Sequence, residues 1–355
     1  MRLGIIGLPQ SGKTTLFNAL TRGTQPTGAT GRIEVHTAVV DVPDPRVDKL
    51  SGMFNPKKTI FAKVTYADIA GLDGSAGRSG ISGTLLNQLT QMDGFIHVIR
   101  CFENENVPHP QESIDPARDL TAMDSEFVLN DLIAVERKLE RLTEERKKGA
   151  GRDKAVIERE NQLFTRFQAA LSEEIPLRDL EISAEEEKIL TGFGFLSLKP
   201  VLIVLNTSEG QKPPEIPYNH KKSLFVSLQC ELEMEIAQLP SEDALEFLKE
   251  YGIEEPSLNR MIRLSYDLLG LQSFFTVGPD EVRAWTVRRG AAAPEAAGEI
   301  HTDLQKGFIR AEVVAYEDLV SLGGYTEARG KGKLRLEGKD YIVKDGDILN
   351  IRFNI

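Results

Sequence analysis

The sequence has little cysteine, no long apolar run, no excess of positive charge, and no internal repeat or low-complexity tract. Its two cysteines, Cys101 and Cys230, lie far apart, which excludes a disulfide framework and favours the reducing cytoplasm. No stretch approaches the roughly 18 consecutive apolar residues of a membrane helix, so no membrane partner is expected. The net charge of −11 argues against DNA binding through a general positive potential. A length of 355 residues predicts a globular chain of two or three domains.

The five histidines have no metal-ligand spacing, which gives no support for a zinc centre or for acid–base catalysis. His97 lies in an apolar strand, where a satisfied core side chain is expected. Cys101, at the end of the same strand, is expected to be buried and inert. The chemistry of this protein must therefore come from other residue types.

The most informative pattern is G-L-P-Q-S-G-K-T at residues 7–14, which follows a short strand and opens a helix. The glycines of such a P-loop let successive backbone N–H groups point inward and cradle phosphates at a helix N-terminus. Lys13 is expected to reach the β- and γ-phosphate oxygens, and Thr14 to bind Mg²⁺ through its hydroxyl. The residues expected to bind the nucleotide here are Pro9, Gln10, Ser11, Gly12, Lys13, Thr14 and Thr15.

A second phosphate element is D-I-A-G at residues 68–71, about 55 residues after the P-loop and at the end of an apolar run. Asp68 is expected to bind the Mg²⁺ shell, and the Gly71 N–H to sense the γ-phosphate. Lys13 and Gly71 are therefore the candidate catalytic residues. Asp68 joins Thr14 as a candidate metal ligand.

A third element is expected to contact the base, and it is N-T-S-E at residues 206–209. Thr207 stands where a typical GTPase has a lysine, and Glu209 where it has an aspartate that pairs with guanine. The longer Glu209 side chain displaces the carboxylate, which weakens guanine selection. This weakens the case for GTP without establishing ATP, and Asn206, Thr207 and Glu209 are candidate base contacts. Ser227 and Leu228 follow the next strand, where backbone groups usually approach the base.

Strand-like apolar runs alternate with helical stretches over residues 1–122 and 196–270, which is typical of an α/β fold with a parallel sheet. These two parts are predicted to form one P-loop NTPase domain. Its predicted strands are residues 3–6, 61–67, 95–99, 201–205 and 224–226.

Residues 123–195 interrupt that domain with a helical pattern. Spacings of 4, 3, 4 and 3 residues form an a/d seam of Val128, Leu132, Val135, Leu139 and Leu142. A second run places Leu163, Phe167 and Leu171 on one face, so the two runs predict a helical coiled-coil hairpin.

The tip of the predicted hairpin is basic, and it carries Arg146, Lys147, Lys148, Arg152 and Lys154. Charge runs are usually solvated, so a plain spacer competes with a contact to RNA.

Residues 271–355 show short alternating runs separated by turn signals, which predict a small β-rich domain. The predicted strands are residues 274–277, 284–287, 307–314, 333–336, 340–343 and 348–353.

Taken in order along the chain, these elements closely resemble the YchF group of Obg-related P-loop NTPases of the TRAFAC class. The resemblance extends to P-D-P-R at residues 43–46, V-I-R-C-F-E at 98–103, and two motifs at 278–286 and 307–313. It implies ATP hydrolysis to ADP and phosphate with Mg²⁺ as cofactor, weaker use of GTP, and association with the ribosome. It also implies that residues 271–355 form a TGS β-grasp domain, which with the basic tip is expected to meet ribosomal RNA.

Several positions depart from the pattern of that group. Gln10 and Ser11 replace an Asn-Val pair whose asparagine is associated with potassium-assisted hydrolysis. Leu72 follows Gly71 where many GTPases have a water-positioning glutamine, which implies slow turnover. Thr30 is the candidate Mg²⁺-sensing threonine in an altered switch I. Two alternatives stay open, a GTP-preferring protein and a non-hydrolysing adaptor that recruits a protein partner.

Overall fold

The structure is a computed structural model that describes residues 1–25, 35–69, 81, 83–148, 152–250 and 255–354. The chain divides into two compact units. The first comprises Met1–Ala38 and Thr65–Leu258, and the second comprises Val39–Val64 and Asn259–Ile355. The domain boundaries expected from the sequence stay a prediction. They differ from the contact-defined units chiefly in residues 39–64, which the sequence assigned to the NTPase domain.

The strands of the described chain are, in order, β1 (Arg2–Ile6), β2 (Val35–Asp41), β3 (Lys58–Ile60), β4 (Lys63–Ile69), β5 (Gly94–Arg100), β6 (Val201–Asn206), β7 (Ser223–Leu228), β8 (Leu271–Val277), β9 (Glu281–Arg288), β10 (Phe308–Ala315), β11 (Arg335–Glu337) and β12 (Asp347–Phe353).

The helices are, in the same order, α1 (Lys13–Thr21), α2 (Pro45–Phe54), α3 (Gly83–Thr90), α4 (Pro116–Lys148), α5 (Lys154–Ser172), α6 (Ala184–Leu190), α7 (Cys230–Gln238), α8 (Ser241–Glu250), α9 (Ser257–Leu268), α10 (Ala293–Ile300), α11 (Thr302–Lys306), α12 (Tyr316–Leu322) and α13 (Tyr325–Gly330). A short 3-10 turn covers Leu177–Asp179.

The first sheet has the strand order β2-β4-β1-β5-β6-β7. Strand β1 pairs in parallel with β4 and β5, β5 with β6, and β6 with β7. All residues of β5 and β6 are buried, as expected for strands covered on both faces by helices. Their carboxyl ends meet at one edge of the sheet, which is where an open parallel sheet binds its ligands.

The predicted hairpin is present as helices α4 and α5. The seam residues Val128, Val135 and Leu142 are buried, and Leu132 and Leu139 are packed against the same apolar cluster. Leu163, Phe167 and Leu171 of α5 belong to that cluster as well. Helix α4 already begins at Pro116, before the expected start at residue 123, because the apolar cluster of the first sheet extends onto its first two turns through Leu120 and Met123. The predicted fold class, an α/β NTPase sheet interrupted by a helical hairpin, is thus confirmed.

The second sheet has the strand order β11-β10-β12-β8-β9-β3. Its pairs are antiparallel except for β12 with β8 and β3 with β9, which are parallel. One face packs against α10, whose Ala293, Ala296 and Ala297 are fully buried in the apolar cluster of this unit. Small side chains let this helix lie close to the sheet.

The predicted strand at residues 340–343 is wrong. Apart from an isolated bridge between Ala292 and Ile342, this segment has no ladder. Its backbone instead forms two hydrogen bonds with the residues around the start of α10. Val343 N donates to Ala291 O (3.0 Å), and Ala293 N donates to Tyr341 O (2.8 Å). Strands β2 and β3 were not predicted, because neither contains a run of buried residues. Helices α10–α13 were not predicted, because each has only five to eight residues.

Candidate nucleotide-binding site

The P-loop connects β1 to α1 through three residues with positive φ, namely Gly7 (145°), Gln10 (64°) and Gly12 (100°). A Cβ on Gly7 would lie 2.4 Å from the carbonyl oxygen of Val98, and one on Gly12 would lie 2.3 Å from the side-chain nitrogen of Asn206. Both positions therefore require glycine for space as well as for conformation. Helix α1 begins at Lys13, so its free N–H groups face the loop.

The Lys13 ammonium is folded back onto the loop that precedes it. Its Nζ donates to the carbonyl oxygens of Gly7 (2.9 Å) and Leu8 (2.8 Å). Burial lowers the pKa of Lys13 to about 8, and the nearby charge of Asp68 opposes that shift only in part. A buried cation within reach of the loop is the group that a phosphate oxygen needs.

Thr14 and Asp68 come together as the sequence predicts. Thr14 Oγ1 donates to Asp68 Oδ2 at 2.9 Å, so the first turn of α1 meets the end of β4. Asp68 is buried, and its Oδ1 has no hydrogen-bond partner in the described part of the chain. Burial raises the pKa of Asp68, while the Thr14 hydrogen bond and the Lys13 charge oppose the rise. One orphaned carboxylate oxygen beside a hydroxyl fits Mg²⁺, which takes few protein ligands and completes its shell with phosphate and water.

Asn206, at the end of β6, connects two parts of the site. Its Nδ2 donates to the carbonyl of Ser11 (3.0 Å), and its Oδ1 accepts from the backbone N–H of Cys230 (3.1 Å) at the start of α7. Both halves of the side-chain amide are used by the protein. Asn206 therefore holds the P-loop in place, a role that its motif alone does not specify.

The other expected base contacts lie beside Asn206, at the ends of β6 and β7. Thr207 is buried, and its hydroxyl faces Leu228 O (3.4 Å) and Ser227 Oγ (3.5 Å). Its backbone N–H donates to Leu228 O at 2.9 Å. The Glu209 side chain is exposed. The structure thus brings Thr207, Ser227 and Leu228 together and leaves the Glu209 carboxylate in solvent.

The structure describes some of the remaining predicted site residues and not others. Pro9 and Thr15 are half-buried and Gln10 is exposed on the P-loop. Gly71, Leu72 and Thr30 lie outside the described residues.

The burial of Ser11 and its unpaired hydroxyl were not predicted from the sequence: Ser11 is buried, and its Oγ lacks a hydrogen-bond partner among the described residues.

His97 and Cys101 occupy β5 and the residue after it. His97 is buried as expected, and its Nε2 has no hydrogen-bond partner within the described chain. Burial lowers the pKa of His97 to about 4, which keeps the ring neutral. Burial also raises the pKa of Cys101 to about 12, which makes this thiol inert.

The described residues contain no group of three or more His, Cys, Asp or Glu side chains placed to hold a metal ion. In the same part of the chain, no helix combines the length and apolar composition of a membrane span.

Two family models match the chain. Residues 2–138 match a family described as 50S ribosome-binding GTPase. Residues 271–354 match the C-terminal model of YchF GTPases, which is described as a protein of unknown function.

Whole-length relatives include the ribosome-binding ATPase YchF of Haemophilus ducreyi, which is 41% identical and is matched over 100% of this chain and 99% of its own. The protein of the same name from Bacillus subtilis is 39% identical over 99% of both chains. Among solved structures, the YchF GTPase of Schizosaccharomyces pombe has a TM-score of 0.84 and 31% identity, covering 99% of this chain and 97% of that one. Sequence, site geometry and fold agree over the full length, and the chain belongs to the YchF family of P-loop proteins.

Proposed function

We propose that this chain is a ribosome-associated nucleotide switch that hydrolyses ATP to ADP and phosphate. The observation that carries the proposal is the meeting of Thr14 and Asp68 beside a P-loop whose Lys13 ammonium is buried at 2.8–2.9 Å from loop carbonyls. The YchF relatives that match over their whole length are named ribosome-binding ATPases, which supports both the reaction and the partner.

Each site residue has a part in the proposed reaction. The N–H groups at the start of α1 and in the loop bind the phosphates, and Lys13 exchanges its carbonyl partners for phosphate oxygens. Thr14 and Asp68 would hold Mg²⁺, which supplies charge neutralisation at the phosphate oxygens when bound. Asn206 keeps the Ser11 carbonyl turned away, so that the amides of the loop face the ligand. Gly71 is proposed to sense the γ-phosphate, and Thr30 to complete the metal shell.

The base-binding residues favour adenine. Guanine selection requires a carboxylate that accepts from the ring N1–H and the exocyclic amino group of the base, and Glu209 is exposed and longer than the usual aspartate. Thr207 turns its hydroxyl toward the backbone of β7 and so offers no long stem to cover the base. GTP is therefore proposed as the weaker ligand.

A GTP-preferring protein is the second candidate, because one matched family is described as a GTPase and the S. pombe structure is that of a YchF GTPase. Titration with fluorescent Mg²⁺–ATP and Mg²⁺–GTP analogues separates the two. A lower dissociation constant for ATP supports the proposal, and a clear preference for GTP contradicts it.

Hydrolysis is tested by phosphate release from Mg²⁺–ATP. The Lys13→Ala variant is expected to lose both nucleotide binding and phosphate release, since no other described cation lies against the P-loop carbonyls. Lys188→Ala, which removes an exposed lysine from α6, is the matched control and should behave as the wild type. Phosphate release at or below background, unchanged by Lys13→Ala, would favour the non-hydrolysing adaptor.

The ribosomal contact is proposed for the hairpin tip and for the C-terminal domain. Within the tip, Arg146 pairs with Glu158 (3.5 Å), and Arg152 pairs with Glu145 (3.0 Å) and with Glu160. Lys147 and Lys154 are exposed and form no ion pair in the described chain. These two lysines are therefore the proposed phosphate contacts.

A further inference from the structure

Residues 42–62 leave the first sheet between β2 and β4 and fold with the second unit. At the base of this segment, Val42 N donates to Ala62 O at 2.8 Å, and Lys63 pairs with Asp41 at 3.1 Å. The segment contains α2 and β3. It is thus a closed excursion of the chain, attached at both ends to strands that continue toward the nucleotide site.

Backbone pairing is the first anchor of this segment in the second unit. Strand β3 lies parallel to β9 in the register Lys58↔Glu281 to Ile60↔Arg283. The pairing continues beyond the strand, because Lys57 N donates to Pro279 O at 3.2 Å and Lys58 N donates to Asp280 O at 3.1 Å. These bonds make β3 an edge strand of the second sheet.

An arginine is the second anchor. Arg46, at the start of α2, pairs with Asp345 at 2.7 Å and with Asp44 at 2.8 Å, and its guanidinium lies over the Phe275 ring at 5.0 Å. Asp345 also accepts from the backbone N–H of Ser273 at 3.1 Å. The ion pair is therefore built into the junction of β8 with the turn before β12.

Strand β4 leads from this anchored segment to the metal ligands. It begins at Lys63 and carries Asp68 five residues later, which is about 17 Å at ~3.3 Å per residue. Its register with β1 runs without a bulge from Arg2↔Thr65 to Ile5↔Asp68. Residues paired in this way move as one piece, so a displacement of Asp68 is expected to reach Thr65, two residues after Lys63.

We propose that residues 42–62 couple the nucleotide site to the C-terminal unit, so that replacing the Thr14–Asp68 hydrogen bond by metal coordination changes the stability of the β3–β9 pairing. The coupling rests on the proposed nucleotide binding. The coupling is reciprocal. If the nucleotide changes the affinity of a partner for the second unit by some factor, that partner changes the affinity for the nucleotide by the same factor. The second unit would then report the state of the phosphate site to whatever it binds.

Hydrogen exchange measured by mass spectrometry tests the coupling on the full chain. Exchange is followed at residues 57–60 and 281–288 with and without Mg²⁺ and a non-hydrolysable ATP analogue, and binding of the analogue is measured on the same sample. We expect the exchange rate at both stretches to change by about fivefold or more when the analogue binds. Binding without any such change overturns the coupling and leaves the proposed function standing. Failure to bind any nucleoside triphosphate overturns both.

Two variants localise the connection. Asp345→Asn keeps the shape of the side chain and removes the charge that holds Arg46, so the response at residues 281–288 should fall while the analogue still binds. Lys57→Ala is the matched control, because its ion pair with Asp280 joins side chains that are 79% and 80% exposed and contributes little. An Asp345→Asn response equal to that of the wild type would show that Arg46 is not part of the connection and would overturn this route.

Discussion

Lys13 carries a charge that the protein buries against its own backbone. Burial lowers its pKa to about 8, whereas an unfolded lysine titrates near 10.4. Between these values the unfolded chain binds more protons than the folded one, so the contribution of Lys13 to the free energy of unfolding rises with pH in this window. A bound triphosphate reverses the shift, because a neighbouring negative charge favours the ammonium.

Nucleotide binding is therefore expected to take up a proton near pH 8. At a pKa of about 8, roughly half of the Lys13 side chains are neutral at that pH and must be protonated on binding. Calorimetric titrations in two buffers with different ionisation enthalpies measure the uptake, which should be about half a proton and should fade toward pH 6.5. A binding enthalpy independent of the buffer near pH 8 would contradict the buried ammonium.

Asn206 provides a second test at this scale. In the Asn206→Ala variant, the Ser11 carbonyl and the Cys230 N–H lose their partners, and a buried unsatisfied group costs about 1–3 kcal/mol. We expect denaturant unfolding to show a loss in that range, together with weaker ATP binding. Asn104→Ala, which removes an exposed side chain whose oxygen accepts from the backbone N–H of Asn106, is the control and should change neither. Wild-type stability and affinity in Asn206→Ala would remove Asn206 from the P-loop support.

One buried carboxylate of helix α4 binds the segment that leads back to the first sheet. Asp131 accepts from the backbone N–H groups of Leu196 (2.9 Å) and Ser197 (2.7 Å), at the point where the insertion returns to β6. Burial raises the pKa of Asp131 to about 6 even though these hydrogen bonds oppose the rise. The folded chain thus holds a proton at this group up to a higher pH than the unfolded chain does.

Asp131→Ala is expected to lower the free energy of unfolding at pH 7 by about 2–4 kcal/mol, because two buried N–H groups lose their acceptor. The wild-type contribution of Asp131 falls as pH rises from ~4 to about 6, and this slope should vanish in the variant. Urea unfolding at several pH values measures both effects. Glu140→Ala, an exposed carboxylate on the same helix, is the control. Equal losses in the two variants would mean that Asp131 does not hold this junction.

The hairpin has its own apolar core, in which Phe167 is fully buried and lies 6.1 Å from the Phe195 ring. Phe167→Ala is expected to cost about 3–5 kcal/mol through lost burial and the cavity that remains. Val156→Ala removes an exposed apolar side chain from the same helix and should cost little. Thermal unfolding compares the two, and a small loss in Phe167→Ala would contradict a packed hairpin.

The charge of the whole molecule is −11, so any contact with RNA must be local. Among the tip side chains that the structure describes, Lys147 and Lys154 are the basic ones without an ion pair, since Arg146 and Arg152 are paired with glutamates of the hairpin.

Ribosome pelleting at increasing salt tests that contact. The Lys147→Glu/Lys154→Glu variant should bind less and should show a salt slope reduced by about 1–2, since each phosphate contact contributes ~0.7–0.9. Lys188→Glu/Lys212→Glu makes the same change in net charge at exposed lysines of the same unit. Equal weakening in both double variants would mean that overall charge, and not the tip, governs binding.

Local patterns in the sequence were sufficient for the P-loop, the helical seam and the family, because in each of these the backbone conformation and the chemistry are specified by neighbouring residues. Gly7 and Gly12 indicate the phosphate-binding loop, and apolar residues spaced alternately by four and three positions indicate a helix that packs against another helix. The strands of the first sheet were found because burial on both faces makes them continuous apolar runs.

Contacts between residues distant in the chain had no such signal. Strand β3 is only three residues long and largely exposed, and it pairs with a strand 223 positions away in the sequence. The backbone hydrogen bonds of this pairing do not depend on which side chains are present. The Arg46–Asp345 pair and the two hydrogen bonds of Asn206 likewise depend on which surfaces meet after folding. Composition and spacing indicate which helix or strand a segment can form. Which other segment it pairs with is decided by the packing of the whole chain, and this information is present only in the tertiary structure.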